Sequence, residues 1–216
     1  MEAVAGDDPK KLEKAERKVQ KYVLEIAADV SHPTIRGLVR VLRRLWNQIY
    51  DGIELGHTQR LRDVAKEKVV VYVPCHRSHF DYLLLSSICY EQGLQLPHIA
   101  AGINLNMPLV GPVLRRGGAF FLRRSFKGNR LYAAVFDAYL AQLLHRGYSI
   151  EYFVEGGRSR TGRLLAPKGG MLSMTDHSFI EEPSRPFVFV PYFFGDEYML
   201  EGVCFIRELG GGAEKK

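Results

Sequence analysis

The stretch Val69-Val70-Val71-Tyr72-Val73-Pro74-Cys75-His76-Arg77-Ser78-His79-Phe80-Asp81 decides how this chain folds. Its first five residues form a β-branched and aromatic run, which predicts a strand buried on both faces, as in a parallel sheet. Pro74 cannot donate a ladder hydrogen bond, so we expect the strand to end there. Ser78, followed three residues later by Asp81, resembles a capping box and predicts that a helix follows. His76 then lies where open α/β sheets bind ligands, between the strand's C-terminal end and the helix N-terminus.

His76 and Asp81 are five positions apart and would lie on different faces of a single helix. They can meet only if His76 lies outside the helix and folds back over its first turn. Asp81 would then hold one imidazole nitrogen and leave the other as a base. The alternative is that Asp81 only caps the helix and His76 is a polar loop residue, because carboxylates favour helix N-termini. The spacing leaves both interpretations open.

Helical periodicity and apolar runs alternate along the rest of the chain. The predicted helices cover 10–30, 34–55, 80–92, 130–145 and 171–180, and the predicted strands cover 69–73, 97–101, 119–122, 148–154 and 187–194. This alternation predicts an α/β fold, with a mostly parallel central sheet flanked by helices and preceded by an N-terminal helical hairpin. We interpret Gly111–Gly118 as a loop able to approach a phosphate, and 198–209 as either an edge hairpin or a helix.

Polar clusters follow three of the predicted strands. They are His76/Asp81, Arg123/Arg124 and Glu155/Arg158/Arg160. Because parallel strands end at the same edge of a sheet, we expect the three clusters to converge there. Arginine suits a phosphate, since its planar fork binds two oxygens at once. Adjacent strand residues face opposite ways, so one arginine of the pair should reach the site while the other pairs with a carboxylate or a headgroup.

Two glycines separate Glu155 from Arg158 at the end of the fourth predicted strand. Glycine permits positive φ, so backbone N–H groups here can point at an anion. Glu155 would orient Arg158 or a substrate hydroxyl, or else it is a surface carboxylate at a turn.

The composition favours anionic partners, because the net charge is +6 and the sequence pI is about 9.2. The alternative is a basic, solvated surface. The three cysteines show no paired spacing, which suits a reducing cytosol. No secretory h-region and no run of about 18 apolar residues is present, so we expect neither a signal peptide nor a membrane span. The predicted helix 34–55 is amphipathic and basic, so either it lies on a membrane or its apolar face packs on the domain.

Four motifs in order resemble one enzyme family. His76-Arg-Ser-His-Phe-Asp81 is similar to the HX4D signature of the glycerolipid acyltransferases, and 73–86 resembles the bacterial membrane-bound glycerol-3-phosphate acyltransferases. Gly118–Arg124, Phe153–Gly162 and Val188–Pro191 are similar to the second, third and fourth motifs of that family. The likeness runs from about 69 to 210.

This resemblance implies acyl transfer from acyl-ACP or acyl-CoA to the sn-1 hydroxyl of glycerol 3-phosphate, at the cytoplasmic face of the inner membrane and beside anionic lipid. It implies no metal or redox cofactor and no nucleic-acid partner. The implied domains are an N-terminal helical segment (1–60), an acyltransferase catalytic domain (61–209) and a linker-like tail (210–216). The family's chains are longer at both ends, so we interpret this chain as a catalytic-core fragment.

The resemblance assigns catalysis to His76 and Asp81, and glycerol 3-phosphate binding to Arg124. The residues implied to bind substrate or shape its pocket are Phe121, Arg123, Arg124, Glu155, Gly157, Arg158, Ser159, Arg160 and Pro191.

Other functions fit parts of the sequence less well. Dihydroxyacetone phosphate is an alternative acceptor, and an anionic-lipid-binding module is a non-catalytic alternative. A Cys75 nucleophile is disfavoured because Cys75 and His76 point apart in extended chain. A metal site at His76, His79 and Asp81 lacks a typical ligand spacing. Nucleic-acid binding is disfavoured because the arginines follow strands beside a His/Asp pair rather than forming one stripe with aromatics.

Overall fold

The computed structural model describes residues 9–49, 52–78, 81–159, 163–181 and 186–195, so Arg160 and 198–209 lie outside the described residues. Within these ranges, five strands form one parallel sheet in the order β3-β2-β4-β1-β5. The strands are β1 Val69–Pro74, β2 His98–Gly102, β3 Ala119–Leu122, β4 Ile150–Glu151 and β5 Phe187–Tyr192. The predicted α/β fold with a parallel sheet is therefore confirmed.

Seven α-helices flank the sheet in the described part of the chain. They are α1 Pro9–Ile26, α2 His32–Ile49, α3 Thr58–Glu67, α4 Asp81–Glu91, α5 Val110–Arg116, α6 Arg130–His145 and α7 Gly169–Glu181. A single 3-10 turn, Ile103–Leu105, follows β2. None of these helices combines the length and the apolar content that crossing a bilayer requires.

The interpretation of Gly111–Gly118 as a phosphate-binding loop is wrong, because α5 occupies most of it. Pro112 stands in the first turn of that helix, where a missing N–H costs nothing. The Arg115 guanidinium turns away to the end of α1, where it donates to the backbone carbonyls of Glu25 (3.0 Å) and Ala27.

The predicted strand boundaries move by one or two residues in β1, β2 and β5 and by more in β4, whereas β3 keeps its predicted range. β1 ends at Pro74, as expected, although the predicted range of 69–73 stops one residue earlier. β4 spans two residues rather than the predicted 148–154. One further backbone bond, from the Tyr152 N–H to the Tyr72 carbonyl (3.2 Å), extends its pairing before the chain turns.

Successive residues of β1 point into different apolar clusters, so both faces of the sheet are buried. Val69 and Val71 pack with α1 and α6, whereas Val70 and Tyr72 pack with α4. The N-terminal helices belong to this packing. The apolar face of α2 is buried through Ile35, Val39, Leu42 and Trp46, while its arginines at 36, 40, 43 and 44 are exposed.

Candidate active site

The loop from β1 to α4 brings His76 and Asp81 together. Nδ1 of His76 lies 3.3 Å from Oδ2 of Asp81, and the side chains are 13% and 3% exposed. A proton on Nδ1 leaves the lone pair of the ring on Nε2, the nitrogen that a base uses. The geometry is the one expected for a base oriented by a carboxylate.

The same oxygen of Asp81 also organises the loop backbone. It accepts the N–H groups of Arg77 (2.7 Å) and Ser78 (2.8 Å) as well as facing the imidazole. The bond from Ser78 to Asp81 is the reciprocal half of a capping box. The two interpretations that the spacing left open are therefore compatible, because one carboxylate oxygen holds both the helix start and the imidazole.

The plane of the imidazole is set from a second direction. The Phe153 ring stacks on it with centroids 3.8 Å apart and an interplanar angle of 21°. Phe153 follows β4, so the third motif packs directly on the residue that the first motif supplies.

The backbone of the His76 loop is held by residues of the third motif and of β5. The carboxylate of Glu155 accepts the His76 N–H (3.2 Å) and the Leu165 N–H (3.0 Å). The Ser159 N–H donates to the His76 carbonyl at 2.8 Å. From β5, the Tyr192 carbonyl accepts the Cys75 N–H at 3.0 Å. Residues of the third motif, together with Tyr192 directly after the fourth, thus hold the loop that the first motif supplies.

A cavity of about 900 Å³ opens beside His76 at the carboxyl edge of the sheet. Its apolar wall is formed by Ile35, Leu38, Val39, Leu42, Leu83, Leu96, Leu105 and Leu114. The cavity is also lined by five cations, which we call the basic rim. They are Arg123, Arg124, Lys127, Arg158 and Lys168. The volume falls within the range of small-molecule sites. At least one described member of each predicted cluster lines this cavity, namely His76, Arg123 with Arg124, and Arg158, whereas Glu155 does not line it and Arg160 lies outside the described residues.

Lys127 and Lys168 were not among the residues singled out from the sequence. Lys127 closes the Arg-Arg-Ser-Phe-Lys segment, and Lys168 precedes a glycine pair, so neither carries a recognisable local signal. The Lys168 backbone N–H donates to the Val154 carbonyl (2.6 Å), and its Nζ lies 3.4 Å from the Gly156 carbonyl. Gly156 has φ +59, and a Cβ there would lie 2.8 Å from Cδ of Lys168. The left-handed backbone at 156 therefore favours glycine, whereas the flexible end of the lysine side chain could move aside for a Cβ.

The two arginines of the second motif have different surroundings. Arg123 donates through two nitrogens to Glu25 (2.6 and 2.7 Å) and lies over the rings of Tyr132 and Tyr22. The Glu25 carboxylate raises the pKa of Arg123 above its ordinary value. Arg124 is exposed at the cavity and forms no hydrogen bond or ion pair with any other described residue. Arg123 thus pairs with a carboxylate, as adjacent positions predict, but the expectation that only one arginine reaches the site is wrong, because both line the cavity.

The remaining predicted substrate-binding residues divide between the cavity wall and the structure behind it. Gly157 and Arg158 line the cavity. Phe121 is fully buried beneath the Arg115 guanidinium, and Pro191 is exposed on β5, paired in register with Val73. Substrate contact by all these residues stays a prediction.

A carboxylic acid in the sheet was not foreseen. Glu151 is 0% exposed in β4, and neither carboxyl oxygen has a hydrogen-bond partner among the described residues. Burial and the nearby charge of Asp81 raise the pKa of Glu151 well above its ordinary value. Cys75, considered as a nucleophile, is buried with Val70 and Tyr72 and does not line the cavity.

Comparison with known proteins gives one family and a set of close relatives. The family model described as "Acyltransferase" matches residues 57–193. A glycerol-3-phosphate acyltransferase of Pseudomonas paraeruginosa is 57% identical over 204 residues, covering 94% of this chain and 24% of the relative. Proteins of the same name from Haemophilus influenzae and Pseudomonas putida are 56% and 55% identical, each over 95% of this chain and 25% of the relative. The chain spans about a quarter of the length of these curated relatives.

Proposed function

Since the chain belongs to the acyltransferase family, we propose that it moves a fatty acyl group from acyl-ACP or acyl-CoA to the sn-1 hydroxyl of glycerol 3-phosphate. The product is lysophosphatidate. The observation that carries the proposal is the cavity, which places the His76–Asp81 pair beside a basic rim and an apolar wall. A thioester of a fatty acid and a phosphorylated alcohol match these surfaces.

The chemistry begins at Nε2 of His76, which takes the proton of the acceptor hydroxyl as its oxygen attacks the thioester carbonyl. Asp81 keeps the proton of the neutral ring on Nδ1 and stabilises the imidazolium that forms. The tetrahedral intermediate then collapses, and the C–S bond breaks. The departing thiolate receives the proton from the imidazolium, which restores the neutral ring. No metal or redox cofactor takes part in the proposed reaction.

We assign each substrate to the part of the cavity that its chemistry fits. The phosphate of the acceptor binds at the basic rim, where Arg124 offers a planar fork for two oxygens. The acyl chain lies along the apolar wall between α2 and the sheet, where its burial is favourable. With the phosphate and the acyl chain bound in this way, the thioester carbon lies between them and next to His76.

We further propose that the chain works at the cytoplasmic face of the inner membrane, bound peripherally to anionic lipid. The exposed arginines at 36, 40 and 44 of α2 support this placement, since basic residues near an anionic surface are attracted to it. Arg43 is already engaged by Glu91 at 2.8 Å. Nucleic acid is not a proposed partner.

The test is an acyl-transfer assay on the purified 216-residue chain, with acyl-ACP or acyl-CoA as the donor. Glycerol 3-phosphate and dihydroxyacetone phosphate are compared as acceptors, and His76→Ala serves as the control. We expect transfer to glycerol 3-phosphate that this variant lacks. Equal or faster transfer to dihydroxyacetone phosphate would contradict the proposed acceptor. A folded chain that binds anionic vesicles without any turnover would contradict catalysis.

A further inference from the structure

We infer that Glu155 is a positioning residue, which holds the main chain of the His76 loop and does not itself touch the acyl acceptor. The role in catalysis rests on the function proposed above. The position of the loop can be tested without substrates, so the two proposals can fail separately.

The carboxylate of Glu155 is fully engaged within the protein. Glu155 is 3% exposed. One of its carboxylate oxygens accepts the His76 N–H, and the other accepts the Leu165 N–H. The next three residues, Gly156, Gly157 and Arg158, line the cavity, whereas Glu155 does not. A ligand in the cavity therefore meets the turn that follows Glu155 rather than its carboxylate.

The peptide groups of His76 are held on both sides. Its N–H donates to Glu155 at 3.2 Å, and its carbonyl accepts the Ser159 N–H at 2.8 Å. The imidazole is fixed separately, by Asp81 at Nδ1 and by the Phe153 ring on its face. The backbone contacts fix the position of Cα, and the ring contacts fix the orientation of the imidazole. Together they leave Nε2 little freedom to move.

The demand for a carboxylate follows from the donors that it faces. Both partners of Glu155 are N–H groups, and a carboxylate presents two acceptor oxygens. Glutamine has the same shape but only one oxygen, so its NH₂ group would face a second donor. Aspartate keeps the charge but is one methylene shorter and cannot reach both groups. Glu155→Gln should therefore release one end of the loop, and Glu155→Asp should strain it.

The first measurement is steady-state kinetics of Glu155→Gln. We expect kcat to fall about 10- to 100-fold, since small misplacements of a catalytic group cost factors of this order. The KM for glycerol 3-phosphate should stay within about twofold, because no contact with the acceptor is lost. The matched control is Glu67→Gln, which makes the same change at the exposed end of α3 and should leave both constants unchanged. A raised acceptor KM with unchanged kcat would show direct contact and overturn the inference.

The second measurement needs no substrate and uses the proton NMR spectrum of the His76 ring, assigned by comparison with His76→Gln. Stacking on Phe153 should shift these signals upfield in the wild-type chain. We expect them to move toward ordinary histidine values in Glu155→Gln, and in Glu155→Asp as a second variant of unchanged charge. Unmoved signals in a folded variant would overturn the inference. Moved signals in a chain that shows no turnover would leave the loop assignment standing and would contradict the proposed reaction alone.

Discussion

The His76 loop and the basic rim lie on the same cavity but are built differently. His76 and Asp81 are almost buried. The ring and backbone of His76 are held by Asp81 of α4 and by the segment that follows β4, and Tyr192 of β5 accepts the neighbouring Cys75 N–H. On the rim, Arg124, Lys127 and Lys168 are exposed. In the proposed reaction the base would thus be preorganised, which would lower the barrier, while the cations that would bind the phosphate are free to adjust to it. Variants of the loop should therefore change kcat, and variants of the rim should change KM.

The largest effect is expected for His76→Ala. Loss of a general base typically costs about 10² to 10⁴ in rate, and the fold should survive because the ring lies at the cavity. The measurement is kcat, with circular dichroism as the check on folding. Substantial remaining turnover in a folded variant would show that the loop supplies no base, and the contrast with the rim would disappear.

Arg124→Lys tests the rim. Lysine keeps the charge but loses the fork, and one charge-assisted hydrogen bond is worth about 1.5–3 kcal/mol, or roughly 10- to 100-fold. The KM for glycerol 3-phosphate should rise by this factor, with little change in kcat or in the donor KM.

Arg123→Lys is the matched comparison, since this arginine is held by Glu25. We expect a lower melting temperature and a smaller change in acceptor KM than for Arg124→Lys. The reverse ranking of the two KM values would place the phosphate at Arg123.

Vesicle binding tests basic residues that lie outside the cavity, on α2. Replacing Arg36, Arg40 or Arg44 by glutamine should weaken binding to anionic vesicles about fivefold each, since a basic residue near such a surface contributes about 1 kcal/mol. The binding should decrease as salt is added, because the attraction is screened. Arg60→Gln, an exposed change on α3, is the control. Salt-independent binding that is equal on neutral vesicles would contradict the role of these arginines.

The smallest effect concerns Glu151, the buried acid of β4. An unfolded glutamate titrates near pH 4.3, but the folded pKa is raised, so the folded chain keeps a proton that the unfolded chain releases. Stability from this group is complete below about pH 4 and is lost as pH rises towards the folded pKa. Glu151→Gln has no carboxyl group to titrate, so it should not lose this stability as pH rises. The melting temperature of the variant minus that of the wild type should therefore increase by a few degrees with rising pH. A pH-independent difference would mean that the folded pKa is not raised.

Local patterns predicted much of the fold. The valine run gave β1, and the helix 130–145 agrees with α6 at both ends. The failures lie where a local signal has two meanings. The arginine pair and glycine pair of 115–118 suggested a loop, although the arginines form the last turn of α5 and Pro112 is tolerated in its first turn. β4 was overestimated because buried loop residues such as Tyr152 continue its apolar pattern.

The candidate site divides in the same way. The pairing of His76 with Asp81 could be predicted because both residues belong to one turn. The contact from Glu155 to the His76 backbone spans 79 positions and depends on the order of strands β4 and β1 in the sheet. The same holds for Lys168, whose place on the rim is set by a turn at Gly156. No local sequence pattern indicates contacts between residues that are so far apart in the chain.

The ion pair between Arg123 and Glu25 bears on where a working unit of this protein begins. The family model starts at residue 57, yet the carboxylate that holds the second-motif arginine comes from α1, more than thirty positions earlier. A shortened version cut at residue 57, where the family model starts, would leave Arg123 without this anchor and Arg115 without its carbonyl partners at Glu25 and Ala27. The smallest stable piece should therefore include α1, so the start of the family model and the start of a structurally self-sufficient unit do not coincide.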